Sequence, residues 1–279
     1  MRINKDYFLP LVEEFCKTAT ELGPSVYPRH ALFVPYTFEA YHSAPKKIFY
    51  VGRDSEGWIK FDEMMMDFEN GDLDNYLEKN SNVVTVQGEN DDNTKTHDVH
   101  SLREGWNINN KWSFWTYCQK LHLYITKGYE NVDIRNLTND DYLTIEQMGY
   151  GNLNAIEHDR TLKKDRNGIR WWDNISDKKR FHHLRLASRK FDRIKHILDA
   201  YNPDLIIILN WEERDDIFEG LEKEWIKKYY IDKLRAVYRI EGYDTKILWS
   251  NHPNAWSISV YERLKIVGDT ARELLGLND

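Results

Sequence analysis

Lys46-Lys47-Ile48-Phe49-Tyr50-Val51-Gly52-Arg53-Asp54-Ser55-Glu56-Gly57-Trp58 is the stretch on which the reading of this chain turns. Its apolar run, Ile48–Val51, is β-branched and aromatic, as a buried strand is. A glycine ends the run and an acid, Asp54, follows directly off the strand. In open α/β sheets the carboxyl ends of the strands form the crevice where ligands bind. Near the other terminus, Lys246-Ile247-Leu248-Trp249-Ser250-Asn251-His252-Pro253-Asn254-Ala255-Trp256-Ser257 has the same form. Here the strand delivers an imidazole, and the proline after it stops the ladder. One strand ends in an acid and the other in a histidine.

The elements between and around these strands follow from periodicity. Residues 5–22 read as an amphipathic helix on Phe8, Leu11, Val12 and Phe15. Residues 28–45 read as loop with an apolar patch at Ala31–Val34. A helical run then passes through Phe61, Met64, Met65, Phe68, Leu73 and Tyr76. Residues 80–110 read as a loop insertion, with a short strand at Val83–Val86. Within it, His97 and His100 read as surface histidines, since no strong ligand pattern surrounds them. Lys111–Lys127 is a helix by pattern, stopped at Gly128. Residues 149–158 read as a strand ending in an Asn-rich loop. A single helix is expected from a cap at Asp177 to Ala200, burying Leu184, Ala187, Phe191, Ile194 and Leu198. Asn202-Pro203-Asp204 breaks it before Leu205–Asn210, apolar on both faces. Asp215–Tyr230 reads as another amphipathic helix. Val237–Ile240 and Ile247–Ser250 read as strands flanking the Gly242-Tyr243-Asp244 turn. A last helix, capped by Ser257, is expected to reach about Leu275. Helices between apolar strands predict an α/β fold in three layers, with a mostly parallel central sheet covered on both faces. No linker is visible, so residues 1–279 read as one domain, with 1–45 as an N-terminal extension.

Composition narrows the function classes. Hydrophobic residues at 41% and charged residues at 30% describe an ordinary globular chain. Aromatics at 14%, with ten Trp, suit pockets that stack flat ligands as well as large cores. No apolar run approaches the ~20 residues of a membrane helix, and the start lacks the apolar core of a signal peptide. No membrane association is expected. Two cysteines, Cys16 and Cys118, are too few for a four-thiolate metal site or an iron–sulfur cluster, and point to a reducing, cytoplasmic setting. Neither GxGxxG nor GxxxxGK[ST] occurs, so no cofactor is expected. The net charge is −7, yet residues 160–195 hold 13 Lys and Arg against 4 Asp and Glu. A basic segment in an acidic chain is the form of a focused phosphate-contacting surface, or of a helix face whose partners lie elsewhere on the fold.

Strand-Gly52-Arg53-Asp54, the strand Leu205–Asn210, and strand-His252-Pro253-Asn254-Ala255-Trp256-Ser257 occur in the order used by the uracil-DNA glycosylase superfamily. The first motif resembles GQDPYH and the last resembles HPSPLS. The likeness runs in order over residues 46–275 and is specific at the two short motifs. It implies a uracil-DNA glycosylase-like fold, DNA as partner and catalysis without a metal. By this resemblance Gly52 is the motif glycine, Asp54 the acid that orients water, and His252 the hydrogen-bond donor to the departing base. Asn152 or Asn154 is the base-reading amide, and Trp58 or Phe61 the stacking aromatic. Phosphate contacts are expected from Arg170, Lys178, Lys179, Arg180, Arg185 and Arg189, together with Ser257. Trp171, Trp172 or Trp256 would fill the gap left in the duplex.

The departures carry information too. Arg53 replaces Gln, Ser55 replaces Pro, and Asn254-Ala255 replaces Ser-Pro. Glu56 stands where the uracil enzymes have the tyrosine that screens out a 5-methyl group, which implies a pocket open to 5-substituted or glucosylated pyrimidines, for repair or phage defence. A non-catalytic nucleic-acid-binding member of the same fold, and hydrolysis of free nucleosides, remain alternatives. Each residue also has a plain structural role open to it: Asp54 as a turn cap, His252 as a loop donor, Asn152 and Asn154 as turn formers, and Arg170-Trp171-Trp172 as a packing corner.

Overall fold

The computed structural model describes residues 2–28, 30–52, 59–82, 86–87, 94–95, 114–133, 136–156, 177–210, 215–228, 234–253 and 259–277. In chain order the elements are α1 (Lys5–Leu22), β1 (Tyr36–Thr37), β2 (Ile48–Gly52), α2 (Phe61–Glu69), α3 (Leu73–Asn82), β3 (Val86–Gln87) and β4 (Thr94–Lys95). They continue with α4 (Phe114–Lys127), α5 (Asn139–Ile145), β5 (Met148–Asn152), α6 (Lys178–Ser188), α7 (Ile194–Tyr201) and β6 (Leu205–Leu209). The chain closes with β7 (Lys223–Lys228), β8 (Leu234–Ile240), β9 (Lys246–Ser250) and α8 (Val260–Leu275).

Seven strands form one mixed sheet in the order β1-β5-β2-β6-β9-β8-β7, and β3 and β4 form a separate ribbon. The four central strands, β5, β2, β6 and β9, are mutually parallel. The middle pair, β2 and β6, is apolar on both faces and buried at every position, which is why these strands lie at the centre. Antiparallel strands close the two edges, β1 against β5 and the β7–β8 pair against β9. Both neighbours of β2 follow it in the chain: from β2 the next strand of the sheet is β5 on one side, whereas from β6 the sheet continues through β7, β8 and β9 on the other. The carboxyl ends of β2 and β6 therefore flank a topological switch point, the position where such sheets open a crevice.

Alternation along β2 assigns the two faces. Phe49 points to one, stacking on Tyr201 of α7 at 5.4 Å, and Tyr201 in turn meets Phe8 of α1 at 6.0 Å. Tyr50 points to the other, where its hydroxyl lies 3.2 Å from Nδ1 of His122 on α4. On that side α4 and α8 lie together, joined by the Tyr124 hydroxyl donating to Asp269 at 2.5 Å and by Arg272 donating to the Ile125 carbonyl at 2.8 Å. Phe49 lies flat across β5: a Cβ on Gly149 would come within 2.1 Å of its ring. Gly149 is thus explained by packing. Among the described residues no helix is long and apolar enough to cross a membrane.

Several expectations from the sequence need correction. The single helix expected from 177 to 200 is two, α6 and α7. Between them Phe191 turns in to meet Phe15 at 6.1 Å, and the Asp192 carboxylate accepts the Ala155 N–H at 2.7 Å, so the chain bends there. The Phe61–Tyr76 run likewise divides into α2 and α3. Residues 28–45 contain β1. The 215–230 segment is a 3-10 turn followed by the edge strand β7, not a helix. Its alternating charges find cross-strand partners only once β8 is alongside, as where Glu224 pairs with Arg239 at 2.5 Å, and short half-exposed patterns do not separate the two states. The last helix is capped by Ser259, whose hydroxyl accepts the Glu262 N–H at 3.1 Å, rather than by Ser257.

Two outcomes follow from this packing. Gly149→Ala should destabilise the protein by about 2 kcal/mol in urea unfolding, the usual cost of overpacking, and Phe49→Leu in the same chain should recover part of it. His122 is fully buried, and desolvation lowers its pKa to about 3. The unfolded chain takes up that proton near pH ~6.5 and the folded chain does not. Its contribution is therefore complete above ~6.5 and is lost as pH falls from there toward 3. The pH dependence of the unfolding midpoint across this window should flatten in His122→Gln.

Candidate active site

Parallel register brings four strand ends to one edge. Gly52 of β2 is level with Asn152 of β5, and Leu209 of β6 is level with Ser250 of β9. One residue further, the Asn210 N–H donates to the Ser250 carbonyl at 3.1 Å, and His252 follows two residues after Ser250. The strand that leads to Asp54 and the strand that leads to His252 are separated only by β6. Their ends are therefore about 10 Å apart, twice the spacing of neighbouring strands.

Gly52 is the tightest point. A Cβ there would sit 2.9 Å from both Asn152 Oδ1 and the Tyr150 hydroxyl, and 3.1 Å from Cζ of Phe114. No side chain fits without moving all three. The Tyr150 hydroxyl donates to Asn152 Oδ1 at 2.6 Å. The half-buried Phe114 ring, at the first residue of α4, lies 5.7 Å from the Tyr150 ring on one side. On the other side it stacks on the His252 imidazole, with centroids 6.1 Å apart and planes inclined by 29°. Phe114 is thus the physical link between the β2–β5 end and the β9 end.

The loop carrying His252 is held from below. Arg263, in the first turn of α8, is fully buried, and its Nη1 donates to the His252 carbonyl. Burial lowers its pKa, and the neighbouring Tyr117 hydroxyl acts in the opposite sense. A guanidinium stays charged regardless. On the opposite side of the edge, Asn154 is buried in the loop after β5. That loop is fastened by the Leu153 N–H donating to the Gly52 carbonyl at 2.9 Å and by the Ala155–Asp192 bond.

Of the residues singled out in the sequence, Gly52, Asn152 and His252 come together. Phe61 does not join them: it is buried at 1% exposure on α2 and packs on Tyr27 at 4.7 Å and Phe15 at 6.1 Å, so its ring is core. Asp54, Glu56, Trp58, Arg170, Trp171, Trp172, Trp256 and Ser257 lie outside the described residues, as do His97 and His100. Lys178 and Lys179 on α6, and Arg189 just after it, are exposed. Arg180 is spent on the fold, donating to the Glu21 carbonyl at 3.2 Å, and Arg185 is half-buried. Lys190 beyond the helix pairs with Glu14 at 2.6 Å. Part of the basic segment therefore holds α6 to α1, and part faces solvent. Phe114, Tyr150 and Arg263 were not foreseen. Only Tyr150 carried a signal, as it shares a strand face with Asn152 by period two.

Among the described residues no group of three or more His, Cys, Asp or Glu is placed to hold a metal ion. Replacing Arg263 by Met should cost about 2 kcal/mol, because it removes a buried charged donor from the partly buried His252 carbonyl. Amide hydrogen exchange at Asn251 and His252 should quicken more than exchange in β6, and equal acceleration in both would count against this anchoring. No family model matches the chain, and neither a curated protein nor a solved structure matches it.

Proposed function

We propose that this protein is a DNA glycosylase that hydrolyses the N-glycosidic bond of a flipped-out damaged or modified pyrimidine, within a uracil-DNA glycosylase-like fold. The observation that carries the reading is the Phe114 ring stacked on His252 beside Gly52 and Asn152, at the carboxyl edge of the parallel strands. The order of strand ends along the chain, acid then amide then histidine, supports the likeness.

The chemistry needs four roles filled at one place. Breaking the C1′–N bond sends its electron pair to the base and leaves a cationic sugar, which water then attacks at C1′ with loss of a proton. A carboxylate beside the sugar stabilises the cation and orients the water, as in glycoside hydrolysis. Asp54, two residues after Gly52, takes this role. His252 donates a hydrogen bond to the base oxygen that gains negative charge, an effect worth ~3–4 kcal/mol per donor in related oxyanion sites. The Asn152 amide reads the base edge and an aromatic face holds the flipped base. Phe114 takes the stacking role in place of Phe61. Lys178, Lys179 and Arg189 supply phosphate contacts.

Duplexes carrying uracil, thymine mismatches, hydroxymethyluracil and glucosylated hydroxymethylcytosine, each followed by alkali, test the reading. Strand cleavage is expected on at least one, and Asp54→Ala should lower its rate by roughly 10²–10⁴-fold. An equally active Asp54→Ala rejects the acid. Salt-dependent binding without any product rejects catalysis and leaves a nucleic-acid-binding protein, in which reversing Lys178, Lys179 and Arg189 would weaken binding and flatten its salt dependence.

A further inference from the structure

We infer that Tyr150 is a positioning residue of this site, fixing which atom of the Asn152 amide meets a bound base. The consequence for substrate choice rests on the glycosylase reading, whereas the contact itself belongs to the protein without ligand. Tyr150 and Asn152 stand two apart on β5, so their side chains leave the same face of the sheet. Their polar ends meet at 2.6 Å, a length usual for O–H···O and short for N–H···O, with the phenol donating to Oδ1. Both residues are almost entirely buried, at 6% and 4% exposure, so the bond works in a low-dielectric surrounding.

The tyrosine is not able to swing away. Its ring lies against Phe33 at 5.6 Å, Tyr36 at 5.7 Å and Phe114 at 5.7 Å, and moving it would open that aromatic cluster. Gly52 leaves just enough room for the hydroxyl and the amide oxygen to meet. An asparagine amide has an acceptor and a donor on nearly superimposable ends, and unrestrained it turns over and reads the opposite pattern. With Oδ1 directed at Tyr150, the amino group is turned away from it. A base held by Asn152 therefore meets donor and acceptor in a set arrangement.

Pyrimidines differ at that edge. A 4-oxo pyrimidine offers an acceptor beside an N–H, and a 4-amino pyrimidine offers a donor beside an unprotonated ring nitrogen. A fixed amide fits one of these patterns and opposes the other, while a rotating amide accommodates both. Sites built to pair a particular polar group reject the mismatched analogue strongly, because buried partners are left unmet. Tyr150 is accordingly the residue that makes Asn152 discriminate 4-oxo from 4-amino pyrimidines.

A double-mutant cycle tests this. Excision rates are measured on duplexes carrying hydroxymethyluracil or hydroxymethylcytosine for the wild type, Tyr150→Phe, Asn152→Ala and the double variant. Phenylalanine keeps the ring contacts, and thermal melting confirms that each variant is folded. The ratio of the two rates should fall at least tenfold in Tyr150→Phe, and adding this change to Asn152→Ala should have no further effect. In the protein without DNA, both NH₂ resonances of Asn152 should shift in Tyr150→Phe as the amide loses its phenol donor and changes its χ2 orientation, while staying distinct from each other because the C–N bond does not turn. An active wild type whose ratio survives Tyr150→Phe, or effects that simply multiply, overturns this inference alone. A wild type that releases no base from any duplex overturns the glycosylase reading and this inference with it.

Discussion

Parallel pairing of β2 between β5 and β6 is the constraint on which the rest depends. A strand paired on both sides in the same direction has no choice about where its carboxyl end emerges. Once β9 joins β6 in the same sense, every one of the four ends lies at a common edge. Gly52 then sits where three side chains converge, and its lack of a Cβ is what lets Tyr150, Asn152 and Phe114 approach one another. The candidate site is a consequence of sheet register first and of side-chain chemistry second.

The two faces of the sheet divide the labour. Toward α1 and α7, the contacts are aromatic rings in edge and stacked arrangements, such as Phe49 on Tyr201, each worth ~0.5–1.5 kcal/mol beyond the area buried. Toward α4 and α8, polar groups are buried one after another: His122 beside Tyr50, Asn152 beside Tyr150, and Arg263 beneath His252. Burying such groups costs stability unless hydrogen bonds replace those lost to water. A core built on packing alone has no use for them. Those that lie under the edge where the strand ends converge fit a site whose polar groups are held in set directions.

The basic segment illustrates how charge counts mislead when read without partners. Its cations serve two purposes. Arg180 and Lys190 tie the segment to α1, through a helix-end carbonyl and through Glu14, while Lys178, Lys179 and Arg189 face solvent. Surface pairs of this kind contribute little energy individually, though they orient α6 on its neighbour. Among the described cations of the segment, Lys178, Lys179 and Arg189 are exposed where a polyanion could meet them.

The strands β2, β6 and β9 and their mostly parallel pairing were legible in the chain itself, because each has a compact apolar run followed by Gly or Asn. The long α1 and α4 were legible for the same reason, a sustained helical period. What stayed hidden were features set by distant neighbours. β7 looked helical because a short, charged, half-exposed segment takes its state from the strand beside it. The bend between α6 and α7 depends on Phe15 and on the Ala155 N–H, contributed by residues far away in the chain. Phe61 and Phe114 are the plainest case. Both are aromatics at the first position of a helix, yet one is core and the other stacks on His252. Local sequence specifies what a residue offers and which way its backbone runs. Which group it meets is decided only when elements far apart in the chain pack, since that contact is paid for jointly by both.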